Sequence, residues 1–556
     1  MELRSPRSCP AFSPIRIKIL NMSSANYQSD EIWEEIQDDA SFKEFLCKDR
    51  LVDYLYQSRW FGGKSSRILQ VIVSKSMPLY NGSDLYNMMI LEVFFQESYA
   101  HNYFLPLALV ELDSDISDAA KLAEVTLAGK KYLLIDALYD QGFHQAMFKL
   151  LQHNQILKEG NNKVYFKAIG DLGLAKDFSS KLLNAEQSNS TIIINDFFYL
   201  KIFRRLFRDK NPDFELNEFL AEQKYFKNFP NLSGLIWWEP SPGFDISLGL
   251  MQEKLENEGD AWTWMLSEVE SFFAQADEQE LKPLLWTAIY PLKLKKLPPY
   301  FLQNPGQEFF RHIETLAKRT AEMHIALASN SRDRNFVVSN YNSDFTVWLK
   351  NRLIYQFDAR YNLLNNKLPD LPAEAQKLAK KVLSRKDQIV NFILGFDEEK
   401  LRSFRIRIHG DYHLGQILKQ GKDFYILDYE GEPESTIRDR KVKQSPLKDV
   451  AGLLRSFHYA LHATQVKLGT EKANIRAEQG KSLYQAISGV FLNTYFKEAF
   501  KNQLDIGYRK EITYLLHYFL LEKAIYELGY ELNGRPDWAI IPLQGILEIT
   551  DEIKKI

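Results

Sequence analysis

The chain has few cysteines and almost no net charge. Only Cys9 and Cys47 occur among its 556 residues, far from any Cys/His spacing that binds metal. This scarcity excludes a disulfide framework and a structural zinc site and favours a reducing compartment, so we expect a cytoplasmic protein. Lys plus Arg number 70 against 73 for Asp plus Glu, and no long basic block is present. Nucleic acid is therefore not an expected partner.

Long apolar runs are also missing. Stretches such as Leu515 to Leu521 stop well short of the roughly 18 to 20 residues that a membrane span requires, so no membrane partner is expected. The first 21 residues contain no apolar secretory region, because charged residues and prolines interrupt them. We expect residues 1–29 to form a disordered tail that carries no function.

The composition is that of a large globular protein. Hydrophobic residues make up 45% and charged residues 26% of the chain, so a sizeable core can be buried. The length predicts roughly two to four folded units. Strand and helix patterns mix in the first half, with a small unit from Asp30 to about Val110, whereas helical patterns dominate beyond about Gly259. These patterns predict the α+β fold class.

Two neighbouring loops carry the residue types that phosphoryl transfer needs. Asp411 follows a short apolar strand, and Gln416 stands five residues later, at the spacing of the base and the metal-binding Asn in the kinase catalytic loop. After one more strand, Asp428 takes the place of the kinase aspartate that holds the metal ion. Either motif alone is more often a turn or a helix cap. Together they predict a phosphotransferase that uses ATP and Mg2+.

A lysine upstream is the candidate for binding phosphate. Lys201 lies within the strand pattern Tyr199 to Phe203, where a lysine among bulky apolar residues must be paired or face an anion. We expect Glu215 to be its ion-pair partner, with Glu218 and Glu222 as competitors on the same helix. Asn195 and Asp196 predict a tight hairpin turn before this strand.

The predicted helix from Leu515 to Leu532 has two different faces. An apolar stripe contains Leu521, Ile525, Leu528 and Leu532, and the opposite face contains Lys523, Tyr526, Glu527 and Tyr530. Aromatic rings beside charges suit a disaccharide, whose CH faces stack on rings and whose hydroxyls need polar partners. A solvated face is the competing interpretation, and it is the more frequent fate of such helices.

Several blocks of the sequence resemble the bacterial maltokinases, which are related to aminoglycoside phosphotransferases. The blocks follow the family's order over nearly the whole chain and are Ser58 to Lys64, Glu186 to Ser190, Leu200 to Arg205, Asn257 to Trp262, Arg319 to His324, His409 to Leu418, Asp428 to Pro433, Ser445 to Gly452, and Tyr526 to Pro542. Gly62 stands where the family has Ala, and Tyr412 and Tyr429 stand where it has Leu and Phe.

The resemblance implies a bilobal, protein-kinase-like fold. Its parts are a cap subdomain at 30–110, a β-rich nucleotide-binding lobe at 111–253 and a helical lobe at 254–556, with a hinge near Gln252. It also implies ATP-dependent phosphorylation of the anomeric hydroxyl of maltose, giving maltose 1-phosphate for α-glucan synthesis, and a possible association with trehalose synthase.

The resemblance also implies roles for individual residues. Asp411 is the base, and Gln416 and Asp428 are the Mg2+ ligands, while Asp449 braces the catalytic loop. The residues expected to bind the nucleotide are Ser188, Asn189, Ser190, Lys201, Glu215, Gln252, Glu253 and Leu255. The residues expected to bind the sugar are His413, Lys523, Tyr526, Tyr530, Glu531 and Trp538. His413 has two other interpretations, as a metal ligand or as a histidine packed within its loop.

Two other functions remain open from the sequence. Kinases of many small molecules share this catalytic loop, so the acceptor can be an amino sugar such as glucosamine or another hexose. A catalytically silent sugar-binding module is disfavoured, because Lys201, Asp411, Gln416 and Asp428 are all present.

Overall fold

The computed structural model describes residues 26–37, 39–97, 99–173, 177–183, 188–223, 225–275, 284, 287–329, 332–469 and 473–554. Most of the expected tail at 1–29, together with Glu186 and Gln187, lies outside these residues. The chain forms two compact units, one of Met1–Ala146 with Ala185–Ser188 and the other of Met147–Asn184 with Asn189–Ile556. The first unit thus continues past Val110, where we expected the cap subdomain to end.

The first unit is a curled sheet with short helices. Its strands are β1 (Tyr27–Ser29), β2 (Ile68–Asn81), β3 (Asp84–Phe95), β4 (Ala100–Glu111), β5 (Lys121–Leu127) and β6 (Lys130–Asp136), in the order β1-β5-β6-β4-β3-β2. Its helices are α1 (Trp33–Ile36), α2 (Ala40–Phe45), α3 (Leu51–Gln57) and the start of α4 (Gln141–Gln152). Trp33, Phe42, Leu55 and Phe61 lie in its buried core.

The sequence pattern from Ile32 to Tyr56 predicts one helix, but the structure divides this region into shorter helices. The Asp39 side chain accepts hydrogen bonds from the backbone N–H groups of Ser41 and Phe42, so a new helix begins at Ala40. An aspartate that caps a helix N-terminus satisfies donors that have no partner within the helix. The local capping preference therefore divides the region that hydrophobic periodicity alone joined.

The second unit begins with an antiparallel sheet. Its strands are β7 (Ile156–Glu159), β8 (Asn162–Ala168), β9 (Ser180–Leu182), β10 (Ser190–Ile194), β11 (Phe198–Ile202), β13 (Leu232–Ser241) and β14 (Phe244–Glu253), in the order β7-β8-β13-β14-β11-β10-β9. The short strand β12 (Arg205–Leu206) and helix α5 (Pro212–Glu222) follow β11. The predicted turn joins β10 to β11, and Asn195 and Asp196 both have positive φ there.

The rest of the second unit is mainly helical. Its helices are α6 (Ala261–Gln275), α7 (Pro299–Phe301), α8 (Gln307–Leu327), α9 (Ser343–Lys367), α10 (Ala373–Leu383), α11 (Lys386–Leu394), α12 (Ile437–Arg440), α13 (Leu447–Lys467), α14 (Ala473–Lys501), α15 (Arg509–Gly534) and α16 (Ile540–Ile553). Its strands are β15 (Ser339–Asn340), β16 (Phe404–Arg405), β17 (Ile417–Gln420) and β18 (Asp423–Ile426). The predicted α+β fold class is confirmed.

The segment after β14 pairs with the hairpin of β17 and β18. The backbone N–H of Glu258 donates to the carbonyl of Lys419 at 2.9 Å, and the N–H of Lys419 donates to the carbonyl of Gly259 at 3.0 Å. The chain that leaves the β-rich sheet therefore pairs with β17 before it enters α6. No helix in the described part of the chain is both long and apolar enough to cross a membrane.

Candidate active site

A buried aspartate holds the backbone of the loop that carries Asp411. Asp449, in the first turn of α13, accepts hydrogen bonds from the backbone N–H groups of His409 at 2.8 Å and Gly410 at 2.9 Å. Gly410 has φ +86°, and a Cβ there would lie 3.1 Å from the Cα of Gly431. A larger residue at this turn would be strained and crowded. Asp449 thus braces the catalytic loop, as the family resemblance implies.

Side chains from α8 and α14 contact Asp449 directly or through a histidine. His324 on α8 lies 3.1 Å from the Asp449 carboxylate, and the Tyr495 hydroxyl contacts the other ring nitrogen of His324 at 2.8 Å. Burial alone would raise the pKa of Asp449, but the hydrogen bond and charge of His324 and the loop amides lower it. The carboxylate therefore stays ionised and keeps accepting from the loop.

Asp428 lies in a cluster of charges around Lys201. The Lys201 ammonium is 2.8 Å from Asp213, 2.9 Å from Asp428 and 2.5 Å from Glu430. Burial alone would lower the pKa of Lys201, yet the three carboxylates raise it well above its ordinary value. The same ammonium lowers the pKa of Asp428, so this carboxylate remains charged. Burial raises the pKa of Asp213.

The prediction that Glu215 pairs with Lys201 was wrong. Glu215 instead contacts Arg407 at 2.7 Å and Lys441 at 3.3 Å, and Asp213 in the first turn of α5 takes the expected place. Asn211 caps α5 and thereby fixes where this turn begins. The oxygen of Asp213 that does not face Lys201 accepts from the backbone N–H of Tyr429 at 3.0 Å, which ties α5 to the segment after β18.

The carboxylate cluster is suited to a hard cation. One oxygen each from Asp213, Asp428 and Glu430 can be chosen so that all three lie within 4.8 Å of one another. Carboxylate oxygens are the ligands that Mg2+ prefers, so the donor set fits this ion. The backbone carbonyl of Gln416, the other expected ligand, accepts from the backbone N–H of Leu427, so the backbone of Gln416 lies beside the residue that precedes Asp428. The sequence motif did not single out Asp213 or Glu430.

Asp411 faces a lysine from the last long helix. The Lys523 ammonium lies 3.0 Å from one Asp411 oxygen, and His413 Nε2 lies 3.9 Å from the other. Lys523 also stands over the ring of Tyr526, 4.9 Å from its centroid. The Nδ1 atom of His413 accepts from the N–H of Gly415 at 3.1 Å, and burial lowers the pKa of its ring. His413 is therefore a neutral member of the loop next to Asp411.

The remaining residues of the expected sugar face form a separate group. Glu531 is buried and contacts Arg535 at 2.8 Å. The Arg535 guanidinium also stands 5.6 Å from the ring of Tyr530 and 4.5 Å from that of Trp538. Tyr530 follows Lys523 by seven residues, about 10 Å along the helix axis. The structure thus joins Lys523 and Tyr526 to Asp411 and groups Tyr530, Glu531 and Trp538 around Arg535.

Only some of the residues that we expected to bind the nucleotide lie close to one another. Asn189 donates to Glu430 at 2.8 Å and so joins the Lys201 cluster. Ser190 is buried and accepts from Arg204, while Gln252 donates to Asn217 at 2.9 Å. Of the remaining three residues, Ser188 is exposed, Glu253 accepts from Asn231, and Leu255 is half-buried after β14.

Lys201 should be as important to stability as to activity. Replacing it by methionine leaves Asp213, whose side chain is 3% exposed, without its cation. Breaking a buried ion pair typically costs about 3 kcal/mol or more, so we expect a loss of that order in the free energy of unfolding. Denaturant titration measures it. The control is Lys210→Met, which removes a half-exposed lysine paired with Glu218 and should cost under about 1 kcal/mol. Equal stability of both variants would contradict the buried-pair interpretation.

Comparison with known proteins identifies the fold. No family model matches the chain. A glucosamine kinase of Streptacidiphilus jiangxiensis is 23% identical over 148 residues, which are 26% of this chain and 32% of that protein. A glucosamine kinase of Mycolicibacterium smegmatis is 20% identical over 373 residues, 66% of this chain and 79% of that protein. The match thus spans about a third of the first relative and about four fifths of the second.

Solved structures extend the likeness to most of the chain. A glucosamine kinase in complex with glucosamine, ADP and inorganic phosphate superposes with a TM-score of 0.57 at 15% identity, covering 86% of this chain and 93% of that chain. A second crystal form of glucosamine kinase gives a TM-score of 0.57 over 87% and 94%. At this identity the likeness shows the fold alone, which this chain shares with the glucosamine kinase structures. The predicted kinase-like architecture is confirmed, and the maltokinase resemblance is not tested by it.

Proposed function

We propose that the chain is a Mg2+- and ATP-dependent sugar kinase that phosphorylates the anomeric hydroxyl of maltose, giving maltose 1-phosphate and ADP for α-glucan synthesis. One observation carries the proposal: the loop with Asp411 enters the β17–β18 hairpin and the loop with Asp428 leaves it at the same end, where Asp428 contacts Lys201, so a candidate base and a candidate phosphate-and-metal site lie on adjacent loops. The fold shared with glucosamine kinases supports the same reaction class.

The reaction assigns a separate task to each group. The Asp411 oxygen that does not contact Lys523 takes the proton of the acceptor hydroxyl. The acceptor oxygen then forms a bond to the γ-phosphorus, and the bond from that phosphorus to the ADP oxygen breaks. Lys201 leaves its carboxylates to hold the phosphates. Mg2+ held by Asp428 and Glu430, with Gln416 beside them, would neutralise phosphate charge.

Maltose is the proposed acceptor because Lys523 and Tyr526 offer a donor and an aromatic face next to Asp411. Glucosamine is the second candidate, since it is named in the relatives and in the solved complex. A panel of acceptors tests both candidate sugars. The chain is incubated with Mg-ATP and, in separate reactions, with maltose, glucose, glucosamine or trehalose, and phosphorus NMR assigns the products. A doublet of an anomeric phosphate from maltose supports the proposal. Phosphorylation of glucosamine alone would replace it by the second candidate.

Tyr526 should contribute to maltose binding more than Tyr530 does. Tyr526 is half-buried beside Lys523, whereas Tyr530 is 55% exposed beside Arg535. Tyr526→Ala should weaken maltose binding by about 1 to 3 kcal/mol, the order expected for lost aromatic contact and an unpaired hydroxyl, with ATP binding near normal. Isothermal titration with maltose and with a non-hydrolysable ATP analogue measures both. Equal losses for the two ligands would indicate destabilisation of the helical region instead.

A further inference from the structure

The acidic residues near Asp411 already have cationic partners. Asp411 has Lys523 at 3.0 Å. Glu432, on the segment after β18, contacts Arg352 and has Lys448 at 3.6 Å. Glu522, which precedes Lys523 on α15, has the same two partners, at 2.5 and 3.0 Å. Glu432 and Glu522 are both buried, so solvent does not replace these cations.

Lys523 is a permanent cation at this position. Its side chain is 18% exposed, and burial alone would lower its pKa. The charges of Asp411, Glu432 and Glu527 outweigh burial and raise the pKa of Lys523. The groups that face its ammonium are thus Asp411 from the catalytic loop, Glu432 from the following segment, Glu527 and the Tyr526 ring from its own helix, and His413, whose pKa it helps to lower.

We propose that Lys523 selects acceptors by charge, so that the site takes neutral sugars and rejects protonated amino sugars. This inference rests on the proposed sugar-kinase function. Lys523 and Asp411 together have no net charge, so the base offers no net attraction to an ammonium group. Without Lys523, Asp411 would present an uncompensated carboxylate, which favours an ammonium group.

The position of the amine in a 2-amino sugar makes this selection effective. The C2 substituent is on the carbon next to the anomeric carbon, whose hydroxyl gives its proton to Asp411. The amine therefore lies within a few ångströms of the carboxylate that Lys523 contacts. A neutral C2 hydroxyl can accept a hydrogen bond from the Lys523 ammonium, whereas a C2 ammonium has no acceptor to offer it.

The test compares a neutral sugar with the analogue that carries an amine in place of its C2 hydroxyl. The full chain is assayed with the neutral sugar that the NMR panel identifies and with the 2-amino-2-deoxy and 2-acetamido-2-deoxy analogues of that sugar. The acetamido analogue adds bulk without charge. At pH 6.5 the amine is protonated, because its pKa is near that of an α-amino group, about 8. We expect kcat/KM to favour the neutral sugar over the amine by about tenfold or more, and the preference to shrink when the pH is raised above 8.

Variants then assign the selection to Lys523. Lys523→Gln should reduce the neutral-to-amine ratio of kcat/KM by about tenfold at pH 6.5, whatever its effect on the absolute rate. Lys523→Arg keeps the charge and should keep the ratio. Lys467→Gln removes an exposed lysine paired with Glu270 and should leave the ratio unchanged. These three results together support charge selection by Lys523 and exclude a general effect of lysine removal.

Each contrary result has its own meaning. A ratio in Lys523→Gln equal to that of the natural chain, while sugars are still phosphorylated, overturns the inference and leaves the kinase proposal intact. A natural chain that prefers the amine overturns it as well. If the natural chain phosphorylates none of the sugars, the kinase proposal fails, and this inference fails with it.

Discussion

Asp411→Asn should lower kcat by at least about 100-fold, because an amide cannot take the proton of the acceptor hydroxyl, and general-base catalysis supplies roughly this factor or more. The asparagine has the shape of the aspartate, and the loop is held by the contacts of Asp449 to the backbone, which the substitution does not alter. We therefore expect ATP binding near that of the natural chain. Steady-state kinetics at saturating ATP and sugar, with ATP titration, measures both quantities.

Two controls separate chemistry from folding in this variant. Asp387→Asn removes an exposed carboxylate from the surface of α11 and should leave kcat unchanged. Denaturant titration of Asp411→Asn shows how much stability is lost when Lys523 no longer has a charged partner. If the folded variant retained more than about a tenth of the turnover, Asp411 would not be the base.

The position of the two candidate loops could be predicted because the pattern that indicates them is local in sequence. Asp411 and Gln416 precede β17 and Asp428 follows β18, so all three flank one hairpin whose turn and strands follow from a short-range sequence pattern. The backbone N–H of Leu427 donates to the backbone carbonyl of Gln416, so the structure places the two flanking loops side by side. The hairpin turn at Asn195 and Asp196 was predictable for the same reason.

The partner of Lys201 could not be predicted, because it depends on which face of α5 packs toward β11. Asp213, Glu215, Glu218 and Glu222 all lie on that helix, and sequence spacing does not distinguish them. Glu215 is drawn to Arg407, which is 192 residues away in sequence and buried with it. Long-range packing of this kind decides the pairing, and it leaves Asp213 for Lys201.

The part of α15 that belongs to the candidate active site could not be predicted from the sequence either. Helical periodicity separates Lys523, Tyr526 and Tyr530 from the apolar stripe, yet it does not show how much of that face the active site uses. The structure divides this face into two groups. Lys523 contacts Asp411, whereas the rings of Tyr530 and Trp538 contact the Arg535 guanidinium.

Asp428→Asn should abolish most Mg2+-dependent activity, with a loss of kcat/KM for Mg-ATP of at least about 100-fold, because a neutral amide is a poor ligand for a hard cation. Asp428 has φ +55°, and asparagine tolerates this left-handed backbone conformation, so the local fold should persist. The substitution also removes a negative charge that faces Lys201 at 2.9 Å, and the neighbouring Asp213 and Glu430 still hold that lysine in the free protein.

The graded effects of three variants distinguish a metal site from an ion-pair cluster. We expect Asp428→Asn and Glu430→Gln to raise the Mg2+ concentration needed for half-maximal activity most, and Gln416→Ala to raise it least, because a carboxylate holds a hard cation better than a neutral carboxamide does. Titration of Mn2+ binding in the absence of sugar, followed by electron paramagnetic resonance, gives a readout that does not depend on turnover. Asp423→Asn, on the same hairpin but bound to Arg319, is the matched control. If Asp428→Asn bound Mn2+ as the control does, the cluster would serve only to hold Lys201, and the metal ligands would have to lie elsewhere.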